Sequence, residues 1–169
     1  LERVSKIIID PLALELIKSI KWISLNNFSN TLSEQYPVVI IGKGKPILLL
    51  HGFDSCFMEF RRLAPFLINK YQLIIPDLFG FGFCPRPKNA NYDKSSIISH
   101  LTKLINELKP ISPIGIIGAS MGGGIALDFA KENINLVSNI LLLSPAGLAG
   151  SQPAIPPPIT ATFKCDFIK

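Results

Sequence analysis

An apolar run, Ile114–Ile117, passes directly into Gly118-Ala119-Ser120-Met121-Gly122, and an amphipathic pattern with Ile125, Phe129 and Ala130 inward leaves it at once. A strand that becomes a helix over so few residues brings two backbones close together, which small residues such as Gly118 and Gly122 permit. The turn forces Ser120 into a strained backbone conformation. The helix N-terminus then places positive potential beneath the serine. Three fixed small residues alone would occur by chance in about one chain in twenty, taking ~7% for each residue type. The flanking strand and helix turn a weak match into a constraint.

Short apolar runs and helical patterns alternate along the rest of the chain. Asp10-Pro11 caps a helix predicted at 11–21, docked outside the sheet, with Leu12, Leu16, Ile17 and Ile20 on one side. Val38–Ile41 and Ile47–Leu50 read as strands joined by a hairpin-like turn, Gly42-Lys43-Gly44-Lys45. Residues 57–68 read as a helix and Leu73–Ile75 as a strand. Residues 94–108 form the clearest helix, with Ile97, Ile98, Leu101, Leu104, Ile105 and Leu108 on one stripe. A helix at 121–132 and a strand at Ile140–Leu143 follow. This alternation predicts an α/β fold, a mostly parallel sheet with helices on both faces. The expected organisation is an N-terminal helical extension at 1–30, a core at 31–147, and a Pro-rich tail at 148–169.

The 169 residues suffice for one domain with a real core, and 48% hydrophobic against 17% charged excludes a disordered chain. A net charge of +5 is spread with no basic run longer than Arg61-Arg62, which excludes a nucleic-acid groove. From Pro110 to Leu127 there is no charge, yet Pro113 and five glycines interrupt the segment, so no transmembrane span is expected. Glu2, Asp10 and Glu15 break any signal-peptide core. Cys56, Cys84 and Cys165 form no CxxC pair, which points to a reducing cytoplasm without disulfides or zinc. No metal and no cofactor are expected.

Upstream of the serine, Leu48-Leu49-Leu50-His51-Gly52-Phe53-Asp54 ends a strand and turns toward the next helix. Acyl-transfer chemistry needs two backbone N–H groups aimed at a developing oxyanion. Phe53 and Met121 are the natural pair. His51 could be read as a catalytic base, but His-Gly at a strand end favours a loop-shaping role, shared with Gly52. Asp77, in Pro76-Asp77-Leu78-Phe79-Gly80-Phe81-Gly82, is expected to hold loop backbone.

Taken together, LLLHGFDS (48–55), PDLFGFG (76–82), GASMGGGIALDFA (118–130) and LLLSPAG (141–147) resemble, in order and spacing, the α/β-hydrolase fold family. The form with EFRRLAP (59–65) after HGFD is similar to a bacterial and plastid subgroup. The resemblance covers about residues 36–150 and implies Ser120 as nucleophile, Phe53 and Met121 as oxyanion donors, and a lid beginning after 147. Such enzymes run Ser, then Asp or Glu, then His along the chain. Asp128, Glu132 and Asp166 follow Ser120, but no histidine does. His100 precedes the elbow and reads as a surface helix residue. The family pattern therefore breaks off after about the sixth strand.

The expected function is a serine hydrolase acting on a small hydrophobic acyl substrate, inactive as these 169 residues. Phe53, Phe57, Met58, Phe79 and Phe81 are the candidate apolar mouth. The alternative is a non-catalytic interaction domain of the same ancestry. Without a following strand, Ile140–Leu143 is expected to be a bare edge, since the four prolines of 151–169 would interrupt a ladder. Self-association through that edge is the corresponding expectation.

Overall fold

Three consecutive leucines sort the fold into layers. Leu48 and Leu50 pack into one buried cluster and Leu49 into another, because successive side chains of a strand point to opposite faces. The computed structural model describes residues 5–25, 28, 34–111 and 113–147, and a strand at 160–164 by its backbone. Its strands are β1 (Ile20–Ser24), β2 (Gln35–Gly42), β3 (Lys45–Leu50), β4 (Tyr71–Pro76), β5 (Ile114–Ala119), β6 (Val137–Leu143) and β7 (Thr160–Lys164). They form one sheet in the order β1-β2-β4-β3-β5-β6-β7. The central strands β4, β3, β5 and β6 are parallel, while β1, β2 and β7 are antiparallel to their neighbours. The sheet is therefore mixed, with a parallel centre.

Helices α1 (Pro11–Lys18), α2 (Ala64–Leu67), α3 (Lys94–Leu108) and α4 (Met121–Glu132) cover it, with a 3-10 segment at Phe57–Arg62. Helix α3 starts at Asp93, whose side chain accepts from Ser96 N–H at 2.8 Å, and ends at Lys109 in a left-handed conformation before Pro110. It buries Leu101, Leu104 and Ile105 with Ile125 and Phe129 of α4 against Leu48, Leu50, Ile116 and Leu142. On the opposite face, Leu16 of α1 and Phe57, Phe60 and Ala64 pack on Val39, Leu49, Leu73 and Ile117. Among the described residues no helix is long and apolar enough to cross a membrane.

Several elements differ from expectation. The predicted helix at 11–21 ends at Lys18, and Ile20–Ser24 joins the sheet as its edge strand. The predicted helix at 57–68 divides into the 3-10 segment and the short α2. β2 and β3 are not a hairpin, because β4 lies between them. The connection instead crosses the start of β4 so tightly that a Cβ on Gly42 would meet Tyr71 O and one on Gly44 would meet Lys70 O. Both glycines have positive φ, at 77° and 118°, which only glycine adopts without strain. β6 is not a bare edge either: Asn139–Leu143 pair with Lys164–Thr160 of β7. The prolines stop at Pro158, so the five residues of β7 contain none. The expected bare edge at Ile140–Leu143 is thus covered, and β7 is the outer strand on this side. The rest of the expected tail, 148–159 and 165–169, lies outside the described residues.

Candidate active site

Ser120 is the junction between β5 and α4, exposed, with φ 49° and ψ −117°. A non-glycine residue held there stores on the order of 1–3 kcal/mol of strain. Neighbouring backbone over-determines it. Ser120 N–H donates to Leu143 O at 3.0 Å, and Ser120 O accepts from Gly123 N–H at 3.0 Å and from Ala146 N–H at 2.8 Å. The last residue of β6, Leu143, and Ala146 in the loop after it thus grip the elbow, a role for the 144–147 segment that its sequence does not announce. Gly118 has no room for a side chain, since a Cβ would lie 2.5 Å from Gly122 O and 2.7 Å from Gly123 Cα. Met121 is the first residue of α4, so its N–H has no acceptor within the helix.

The second wall is the loop after β3. Gly52 lies directly against the serine, with a Cβ built there 3.3 Å from Ser120 Cβ. His51 is buried and doubly engaged. Leu78 N–H must be a donor, so His51 Nε2 accepts at 2.9 Å; Nδ1 then carries the proton and donates to Gly52 O at 2.8 Å. Burial also holds the imidazole below its ordinary range. With its lone pair occupied, His51 is not free to take a proton from Ser120. Because C=O and the following N–H point oppositely in a trans peptide, fixing Gly52 O toward the ring turns Phe53 N–H away from it.

Asp77 joins this loop to the one after β4. Its carboxylate accepts from Phe57 N–H at 2.7 Å and from Phe83 N–H at 2.6 Å. Burial raises its pKa to about 6 against the lowering effect of those two hydrogen bonds. Asp77→Asn leaves only one oxygen acceptor for two buried N–H groups. The loss, read by urea denaturation, should be about 1–2 kcal/mol for the hydrogen bond and should shrink at pH 8, where Asn also removes a buried charge that the wild type carries above about pH 6.

Two clefts flank the serine loop. One, of about 610 Å3, is walled by Phe53, Phe81, Ile97, Met121, Ile125 and Leu127, with the Lys94–Asp128 ion pair (3.0 Å) at its margin. Phe53 is 74% exposed and meets Phe81 edge-to-face at 5.5 Å between ring centroids. The other, of about 600 Å3, is polar and includes Cys56, Met58, Glu59, Arg61 and Arg86. The expected apolar mouth is thus only partly right. Phe57 and Phe79 are buried in the core, and Met58 faces the polar cleft.

His100 is not a surface residue. It is fully buried among Phe28, Tyr36 and Phe79, with ring centroids 4.9–5.9 Å away, and neither ring nitrogen has a hydrogen-bond partner among the described residues. The signal was in the spacing: residue 100 is three after Ile97 and four before Leu104, on the buried stripe. Glu59, by contrast, had no signal beyond its place in EFRRLAP; its carboxylate accepts from Gly52 N–H at 2.9 Å. Among the described residues no group of His, Cys, Asp and Glu could hold a metal ion.

The family model for the alpha/beta hydrolase fold matches residues 45–163. The soluble epoxide hydrolase of Corynebacterium sp. (strain C12) is 32% identical over 122 residues, 72% of this chain and 42% of that protein. Lipase 1 of Psychrobacter immobilis is 38% identical over 104 residues, 62% of this chain and 32% of that protein. The solved meta-cleavage product hydrolase from Pseudomonas fluorescens IP01 superposes with a TM-score of 0.68 at 30% identity, covering 78% of this chain and 47% of that one. The chain spans less than half the length of each of these proteins.

Proposed function

The chain belongs to the α/β-hydrolase fold family, and from that premise we propose that residues 1–169 carry the nucleophile and oxyanion half of a serine hydrolase. The observation that carries this reading is the Ser120 backbone at φ 49°, ψ −117°, at the mouth of the parallel centre of the sheet and against Gly52. Ser120 Oγ attacks a carbonyl carbon, its proton passes to a base, and the N–H groups of Phe53 and Met121 hold the resulting oxyanion. Collapse of the tetrahedral intermediate breaks the C–O bond to the leaving group, which takes the proton from the base and departs as the alcohol, leaving the acyl group on Ser120.

The cleft lined by Phe53, Phe81, Met121 and Leu127 favours an apolar acyl substrate, and the lipase among the relatives points the same way. The base comes from outside these residues. His51 is committed to Leu78 and Gly52, His100 is sealed in the core, and no histidine follows Ser120. The same observation favours the rival reading, an interaction domain without turnover.

Intact-mass detection of fluorophosphonate labelling, with the chain compared to a form extended downstream of Lys169, separates the two. The extended form should label rapidly at Ser120. The 169-residue chain should label slowly and show near-background ester turnover, changed little by Ser120→Ala. Without a base, only ~10³–10⁴-fold acceleration over water remains. Robust Ser120-dependent turnover by the chain alone would place a base inside it. No labelling of Ser120 in either form would leave the non-catalytic reading standing.

A further inference from the structure

We propose that Glu59 is a positioning residue for the oxyanion pocket, an inference that rests on the serine-hydrolase reading above. Gly52 is the residue laid against Ser120, and its two backbone polar groups are held from opposite sides. His51 Nδ1–H takes Gly52 O at 2.8 Å, and Glu59 Oε2 takes Gly52 N–H at 2.9 Å. The first bond sets the Gly52–Phe53 peptide plane, which bears the proposed oxyanion donor. The second sets the plane before it, between His51 and Gly52. Both planes must be fixed for Phe53 N–H to keep one direction, because a glycine between them imposes no dihedral preference of its own. A carboxylate acceptor makes this bond stronger than a neutral one would be.

The placement of Glu59 fits this role. It lies in the 3-10 segment Phe57–Arg62, which is anchored at its first residue by Asp77 and through Arg61, whose Nε donates to Asp10 at 2.6 Å. The segment thus holds the carboxylate still while its oxygen reaches across seven residues to the loop. Phe57 and Phe60 are buried on either side, so the acid sits on a packed element even though it is itself exposed. Its charge is not spent on an ion pair among the described contacts.

Two readouts on the 169-residue chain test the clamp. In 15N-labelled protein the Gly52 amide proton should titrate with a carboxylate as pH falls, and this titration should vanish in both Glu59→Gln and Glu59→Ala. Asp54, Arg61 and Arg86 share the cleft and Asp77 lies behind it, so the loss in Glu59→Gln is what assigns the carboxylate. The second readout is the slow fluorophosphonate labelling of Ser120, whose residual rate reflects the oxyanion pocket. Glu59→Ala should slow it about tenfold, as expected for a donor left misaligned rather than removed. Glu59→Gln, whose amide oxygen can still accept from Gly52 N–H, should recover most of the rate. Unchanged labelling in a folded Glu59→Ala overturns the proposal, as does a Gly52 amide that still titrates in Glu59→Gln. If Ser120 labels neither in the wild-type chain nor in the form extended downstream, the hydrolase reading fails, and the Gly52 titration still decides whether the clamp exists.

Discussion

Gly122→Ala should cost about 3 kcal/mol or more and leave little folded protein at 37 °C, whereas Gly124→Ala, two positions further along the same helix, should be neutral within about 1 kcal/mol. A methyl group at 122 would sit 2.6 Å from His51 O and closer still to Leu50 O. Both neighbours are backbone at the end of β3, so no side chain can rotate out of the way. Relief requires α4 to back away from the sheet, which also pulls Ser120 out of its bonds to Leu143 and Ala146. At 124, among the described residues, the same methyl meets only Ala146 O at 3.2 Å, in an exposed loop, and the substitution gains helix propensity. Urea melts of the two variants side by side decide the matter. Equal stability would mean that the close approach of β3 and α4 is not what demands glycine at 122.

Acid should destabilise the fold through His100, and His100→Phe should remove that sensitivity. Burial drives its imidazole pKa from 6.5 to about 3, so between those values the unfolded chain takes up a proton that the folded chain refuses. Stability contributed by the neutral ring is therefore complete above pH 6.5 and drains away as pH falls toward 3, on the order of 5 kcal/mol in all. That is a large share of a typical folding free energy. Asp77 works in the opposite direction: its raised pKa favours the folded state below about pH 4, and that contribution is lost as pH rises through about 6. The other groups near the cage are Tyr36, whose hydroxyl donates to Glu34, and Lys103, which lies over Phe28. All are shared by wild type and variant, so the difference between their stability curves isolates His100. At pH 7 the variant should already gain about 1–2 kcal/mol, because two orphaned ring nitrogens disappear. The gap should widen as pH falls. His100→Leu repeats the test should the larger Phe ring strain the cage. A constant gap between pH 7 and 4 would show that His100 finds a partner or water on protonation.

What the sequence determined by itself is what local periodicity and backbone chemistry encode. The helices at 94–108 and 121–132 were legible to the residue, because each carries an apolar stripe and Pro110 closes the first. The elbow was legible because Gly118, Ser120 and Gly122 stand between an apolar strand and a helix start, a local arrangement with few solutions. His51 and His100 show where that legibility ends. Both are single polar residues in apolar surroundings, and only the fold says that one is bonded on both nitrogens and the other on neither.

Strand order was decided entirely by tertiary structure. Gly42-Lys43-Gly44 has the letters of a hairpin, but the sheet needs β4 between β2 and β3, and the turn glycines serve to clear its backbone. β1 was hidden because Ile20 and Ile23 continue a helical spacing, and only pairing with Val39 and Tyr36 turns them into an edge strand. β7 was hidden by its four upstream prolines. Backbone hydrogen bonds across a sheet depend on which strand arrives alongside, a non-local choice that no window of sequence contains. The Glu59–Gly52 bond is of the same kind: a carboxylate and an amide seven residues apart, brought together by a 3-10 turn whose packing on Phe57 and Phe60 is set by the sheet beneath it.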